Sequence, residues 1–346
     1  MRRTRSGTGW RSTAAGAVGT VGVLLVALLT VGTEPARGTG QDPASPGPTA
    51  RTAPDRTAGA AAALRPEPPG AVPELARLQK RIAARVVAHG TAYTFASYLD
   101  RTTGRIVLES DAPPKVVTEV AGRRATAPLR APATGPVRDP GLDLYHRRDD
   151  TPPFYGGGGI RTAGTGPCTS GFAVRNGAGT VLMTGSASCF PAGAAVVTES
   201  GAQAYGTVAV RQPAVDAVLI GGGSYAGRIF TGPVTSTTSI PVVSAGEPVV
   251  GGAGYCHSGR TTGEQCGHTV ISTNGQLCGP SGCMAPVVVF NDGVLPQPGD
   301  QGAPFYAKNA SGAHARGQVI LASGTTGYVT SWGRLSGVLG LTIVTG

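Results

Sequence analysis

Met183-Thr-Gly-Ser-Ala-Ser-Cys189, Val215-Asp-Ala-Val-Leu-Ile220 and Pro298-Gly-Asp-Gln-Gly-Ala-Pro304 are the stretches whose reading decides the fold. The first ends an apolar run in a small, polar turn. The second sets one carboxylate, Asp216, directly before an apolar run. The third is a turn with a glycine on each side of Asp300-Gln301, the composition a tight backbone path needs. Around them lie short β-prone runs at 171–175, 180–184, 194–199, 206–211, 214–220, 240–243, 287–290, 318–322 and 327–329. Short strands at roughly 10-residue spacing, separated by glycine clusters, predict an all-β sandwich or barrel. Only 331–339 has a helical pattern in this half.

The chain has 346 residues with 55 Gly, 28 Pro and a formal net charge of +10. Glycine in a helix interior costs about 1 kcal/mol, so this glycine content disfavours a helical bundle. The charge is uneven. Residues 1–150 net +8 and residues 151–346 net +2, while 39 of the 55 Gly and all six Cys lie in the second part. A near-neutral back half without a basic, aromatic-laced cluster argues against nucleic acid as a partner.

The front divides into segments. Arg2, Arg3, Arg5 and Arg11 precede an uncharged stretch from 14 to 32, which predicts an export signal over 1–36. No later stretch is long and apolar enough to span a membrane, so a secreted, extracellular monomer without a stable membrane span is expected. Residues 37–73 are rich in Pro and Ala and poor in large apolar residues, the composition of a disordered linker. Residues 74–88 form an amphipathic helix with Leu75, Leu78, Ile82 and Val86 on one face. Two strand-like runs joined by 100–104 follow, so 74–120 reads as a small α+β unit. Residues 121–152 read as a second linker, and 153–346 as the β domain.

Export places the cysteines in an oxidising compartment, where six thiols most simply make three disulfides. Fifteen pairings are possible; the spacing favours Cys168–Cys189, Cys256–Cys266 and Cys278–Cys283. No Cys and His spacing supports a metal site, and no cofactor is expected.

The three opening stretches, with Cys256-His-Ser-Gly-Arg-Thr-Thr-Gly-Glu-Gln-Cys266 and the terminal 328–345 segment, resemble the chymotrypsin-superfamily secreted serine proteases of bacteria, the actinobacterial streptogrisin and alpha-lytic protease type. The resemblance covers about 153–346, and 74–120 is similar to the pro-region of those proteases. It implies two antiparallel six-stranded β-barrels with a C-terminal helix. In that family the motifs are Thr-Ala-x-His-Cys, an Asp before an apolar strand, and Gly-Asp-Ser-Gly-Gly-Pro. His serves as base, Asp orients it, and Ser attacks the carbonyl.

Carried onto this chain, only the Asp remains, as Asp216. Ser188 stands where the His belongs and Gln301 where the nucleophile belongs. A carboxamide has no oxygen that can be activated for attack, and a hydroxyl is no base near pH 7. Gly299, Asp300 and Gln301 would keep the frame of the oxyanion hole, and Ser323-Gly324 resembles the strand lining the substrate cleft. The expectation is an inactive serine-endopeptidase fold, a pseudoprotease whose former cleft binds peptide or protein segments. The alternative is an active peptidase with relocated groups, such as Ser186 or Ser258 as nucleophile. A buried Asp216 without its His needs new donors, and a Ser186 or Ser188 hydroxyl is expected within hydrogen-bond reach.

Overall fold

The computed structural model describes residues 63–121, 127–128 and 147–346. The expected export segment 1–36, the linker through residue 62, and most of the second linker lie outside the described residues. Among the described residues no helix is long and apolar enough to cross a membrane.

The front unit is built as its pattern dictates. Helix α1 (Ala71–His89) buries Leu75, Leu78, Ile82 and Val86, the predicted stripe. It opens three residues earlier than expected, so Pro73 lies in its first turn. Proline is tolerated there because first-turn N–H groups lack helical acceptors anyway. Strands β1 (Phe95–Asp100) and β2 (Arg105–Ser110) pair antiparallel, and helix α2 (Pro114–Ala121) follows. Between the strands, Asp100 accepts from the Thr102 N–H at 2.8 Å and the Thr103 hydroxyl at 2.7 Å, and Gly104 takes φ +71°. Phe95, Leu108, Val117 and Val120 close on the α1 stripe. Burying each such side chain stabilises by about 1.5–3 kcal/mol.

This unit is joined to the β body edge to edge. β1 runs antiparallel to the strand Gly263–Gly279, with Phe95 opposite Cys278 and Ser97 opposite Gln276. The Gln79 amide donates to the Asn274 carbonyl at 2.9 Å, and the Glu109 carboxylate accepts from the Tyr328 hydroxyl at 2.9 Å.

The body itself is two curled sheets, the first antiparallel throughout and the second antiparallel except where Ser239–Ala245 pairs in parallel with Gly312–Ser323 and Phe154–Gly156 with Tyr225–Phe230. The first runs in hydrogen-bonded order Thr342–Ile343, Ala173–Arg175, Val181–Gly185, Ala217–Gly221, Ala204–Gln212, Ala195–Thr198, Gly159–Arg161, Cys168–Thr169. The second holds Tyr255–Gly259, Gly263–Gly279, Gly282–Asn291, Pro304–Asn309, Gly312–Ser323 and Thr326–Ser331, extended by Ser239–Ala245 and Tyr225–Phe230. Phe154, Tyr205 and Tyr225 fill the first core, with Phe154 and Tyr205 ring centres 4.3 Å apart. Phe290 and Phe305, 4.9 Å apart, fill the second. Helix α3 (Trp332–Leu339) is capped by the Ser331 side chain and packs Leu335 against Val215 and Ala217, the neighbours of Asp216.

All three disulfides pair as the spacing favours: Cys168–Cys189, Cys256–Cys266 and Cys278–Cys283. Cys256, Glu264 and Cys266 cluster like metal ligands, but both sulfurs are committed to the disulfide, so no thiolate is available there.

Two departures from the sequence reading concern the segments read as linkers. Ala127–Pro128 pairs with β2 in parallel. Residues 147–150 are packed into the body, Arg147 completely. Four consecutive charged residues read as solvated chain; here each has a buried or half-buried partner, which composition cannot reveal.

Candidate active site

The Asp216 side of the site is assembled by long-range contacts. Pro213–Val215 makes one 3-10 turn, and Asp216 follows in the left-handed region at φ 44°. That conformation costs an L-residue about 1 kcal/mol, and Asn and Asp bear it best. It is held by the Thr330 hydroxyl on the Val215 carbonyl at 2.9 Å, the Gln318 amide on the Asp216 carbonyl at 3.2 Å, and Leu335 packed beneath.

The carboxylate faces the 186–188 turn. The Ser186 hydroxyl donates to Asp216 Oδ2 at 2.8 Å and the Ser188 N–H donates to Oδ1 at 2.8 Å. The Ser188 hydroxyl lies 2.6 Å from Ser186 Oγ. The expected hydroxyl donor is therefore present, and it is Ser186; Ser188 contributes its backbone. Burial raises the Asp216 carboxyl to about 7, against the opposing pull of the Ser186 hydroxyl, the Ser188 and Ala187 N–H groups and Arg211.

The Gln301 side is a strained turn between two required glycines. Gly299 has φ +100°, and a Cβ there would stand 2.5 Å from Thr261 Oγ1. Gly302 has φ +90°, and a Cβ there would stand 2.3 Å from the Thr169 carbonyl oxygen. Asp300 is fully buried beneath the turn and accepts from the Thr261 N–H at 2.8 Å and the Gln297 N–H at 2.9 Å, with Thr262 Oγ1 also 2.9 Å away. Burial pushes its carboxyl above the ordinary range.

Gln301 turns back on its own loop. The Gly299 N–H donates to Gln301 Oε1 at 2.8 Å. The donor that the frame would offer to an incoming oxygen is thus held by a carboxamide oxygen of the chain itself.

Ser188 and Gln301 line two hollows together. One, of about 220 Å³, also touches Asp216, Ile320, Leu321 and the 278–282 loop. The other, of about 470 Å³, touches Cys168, Cys189 and Gly299. The expected cleft residues Ser323 and Gly324 lie elsewhere on the same strand. Ser323 pairs with Thr326 at the end of a hairpin whose turn contains Gly324. Ile320 and Leu321 face the hollow in their place, because the Gly312–Ser323 strand enters it several residues before its end.

The other candidate groups are committed to structure. Ser186 and Ser258 are fully buried, and the Ser258 hydroxyl donates to the Phe230 carbonyl at 2.6 Å. His257 and His268 are also fully buried, with His257 Nδ1 and His268 Nε2 2.9 Å apart. His268 Nδ1 lies 2.8 Å from the Asp292 carbonyl, which can only accept. His268 Nε2 must then accept from His257 Nδ1–H, while His257 Nε2 lies 2.9 Å from the oxygen of Thr262, whose hydroxyl donates to Asp300 Oδ2. Burial, then His268, holds His257 well below its ordinary pKa. His314 contacts Ser244. Among the described residues no imidazole bonds to Asp216.

Sequence reasoning named Ser186 and Ser188 as alternative donors without choosing between them, and missed Ile320. Ser186 has a legible signal, since the family's motif has Ala at that position. Ile320 has none, because strand register beside the hollow is a tertiary matter.

No family model matches the chain. Streptogrisin-C of Streptomyces griseus is 27% identical over 252 residues, covering 66% of this chain and 51% of that protein, so the chain spans about half the length of this curated relative. Among solved structures, Thermobifida fusca protease A is 24% identical with a TM-score of 0.46, covering 56% of this chain and 98% of its own. Nocardiopsis protease is 22% identical with a TM-score of 0.46, covering 55% and 98%. The largely antiparallel β body with its C-terminal helix and the match to streptogrisin-C make the chain similar to the chymotrypsin-superfamily bacterial serine proteases.

Proposed function

We propose that this is an exported, protease-like protein that has given up peptidase chemistry and uses its former cleft to hold peptide or protein segments. One observation carries the reading: the Gln301 carboxamide oxygen sits on the Gly299 N–H, at the point where the family's chemistry needs a nucleophile and a free donor. The Asp216 side agrees, with two serines and no imidazole on the carboxylate. Loss of the base and nucleophile together costs on the order of 10⁶ in turnover.

A fluorophosphonate probe tests this. The protein is expected to remain unlabelled at concentrations that saturate an active relative. Labelling of one residue within 151–346, abolished by substituting that residue, would sink the reading.

A second reading has one specific observation behind it. The Ser188 hydroxyl, 2.6 Å from Ser186, which is 2.8 Å from Asp216, forms a proton path from the cleft to a carboxyl raised to about 7. An active hydrolase would use Ser188 as nucleophile, and the same probe would then mark Ser188 alone.

An inactive chain cannot remove its own front unit. We therefore expect 74–120 either to stay attached or to be released by another protease.

A further inference from the structure

Arg147-Arg148-Asp149-Asp150 has the look of a processing site: a dibasic pair in a charged, Pro-flanked segment just ahead of the β domain. The structure places it quite differently. The Arg147 guanidinium is fully buried and donates to Ser258 Oγ at 2.7 Å and to the carbonyls of Gly259 at 3.0 Å, Gly232 at 3.2 Å, Thr231 at 3.3 Å and Gly157 at 3.4 Å. It also stands over the Phe230 ring, 5.6 Å from the centroid. None of these partners is a carboxylate. A cation is tolerated there because five neutral oxygens from three separate chain segments accept from its two terminal nitrogens, leaving only Nε without a partner.

The flanking residues are tied down as firmly. The Arg147 carbonyl accepts from the Gly159 N–H at 2.6 Å, and the Arg148 carbonyl from the Ser200 N–H at 3.2 Å. Arg148 lies 3.8 Å from Glu199, and the Asp149 carboxylate accepts from Thr198 at 3.2 Å and from Ser200. Asp150 accepts from the Tyr155 N–H at 2.7 Å.

We propose that residues 147–153 are a retained N-terminal arm of the β body, anchored by Arg147, and that proteolytic separation of the front unit takes place on the N-terminal side of Arg147. A protease must draw several residues around the scissile bond into an extended, exposed strand. Arg147 and Arg148 can enter a basic-specific pocket only if the arm first leaves the body, and that opening breaks the whole set of bonds above. The arm also reaches the site. Arg147 holds the Gly259 carbonyl, while Asp300 packs so closely against Gly259 that a Cβ there would stand 2.0 Å from Asp300 Oδ1. Thr261 and Thr262, which follow on the same stretch, contact the Asp300 carboxyl beneath the Gln301 turn.

Limited trypsin digestion of the folded full chain, with N-terminal sequencing and intact mass of the resistant body, tests the proposal. The resistant fragment is expected to begin at or before Arg147, as it would after cleavage at Arg138. Cleavage after Arg147 and Arg148 should be more than about a hundredfold slower than in the urea-unfolded, reduced chain. A body fragment from the folded protein that begins at Arg148 or Asp149 at the unfolded rate would overturn it. Arg147→Ala gives the complementary arm: the bond after Arg148 should become cleavable in the native buffer. If that variant keeps full protection, Arg147 is not the anchor. The wild-type digestion decides the cleavage position even if the variant fails to fold.

Discussion

The Asp216 and Gln301 ends of the candidate site hold their side chains in different ways. At the Asp216 end a buried carboxyl faces a turn of serines. The carboxyl keeps two short donors, Ser186 Oγ and the Ser188 N–H, yet burial still dominates and holds it near 7. At the Gln301 end a longer side chain has been added, and it satisfies itself by folding onto the Gly299 N–H. The first end keeps a titratable group under tension; the second is neutral and self-contained. A buried carboxyl without an imidazole partner leaves a proton to be managed, while an amide leaves only a hydrogen bond.

The largest test of this contrast is to reverse both ends together. Ser186→Ala, Ser188→His and Gln301→Ser in one chain would vacate Asp216 Oδ2, restore an imidazole and free the Gly299 N–H. We expect fluorophosphonate labelling at residue 301 and ester hydrolysis at least about 10²-fold above the parent. Labelling anywhere else would mean that the two ends do not face one reacting centre.

Next in size is the pH dependence at the Asp216 end. A carboxyl raised to about 7 in the folded state, against about 3.9 unfolded, makes the folded protein bind the extra proton between those values. Stability therefore rises as pH falls from above 7 toward 4, and is lost again as pH climbs through 7. Asp216→Asn should be the more stable protein at pH 8, by at most about 4 kcal/mol, and should match the parent near pH 4. The pH slope should shrink without vanishing, because burial raises Asp150 to about 7 and lifts Asp300 as well. Urea unfolding midpoints from pH 4 to 8 measure it; an unchanged slope would mean Asp216 is ionised throughout.

The smallest effect belongs to the Gln301 end. Gln301→Ala removes one partly exposed hydrogen bond, worth about 0.5–1.5 kcal/mol, and leaves the turn to Asp300 and its two glycines. A modest fall in thermal midpoint, independent of pH, is expected. A loss several times larger would make Gln301 a structural keystone of the turn.

Legibility in the sequence followed the range of the interactions. The α1 stripe, the Asp100–Gly104 loop and the α3 helix rest on contacts a few residues apart, and their patterns could be read directly. The strand Gly263–Gly279 could not, since its internal Cys and Gly look like turn signals and only cross-strand pairing carries it through. At the site, the identities of Ser188, Asp216 and Gln301 and the need for a new donor followed from motif order and from the cost of burying a carboxylate. The orientation of Gln301 did not, because a carboxamide on that turn could equally have pointed into the hollow. Ser323 and Gly324 were placed at the cleft on resemblance, and strand register put Ile320 and Leu321 there.

Residue identity alone puts Ser188 and Gln301 where the resembling proteases carry His and Ser, and local spacing marks 153–346 as glycine-rich, β-prone chain with three closely spaced cysteine pairs. Folding sets the Gln301 amide oxygen on the Gly299 N–H, locks two histidines in a core pair and packs Arg147 into the body. In each case backbone carbonyls or N–H groups are among the deciding partners. Every residue carries the same backbone groups, so which of them meets a given side chain is settled by how the chain folds.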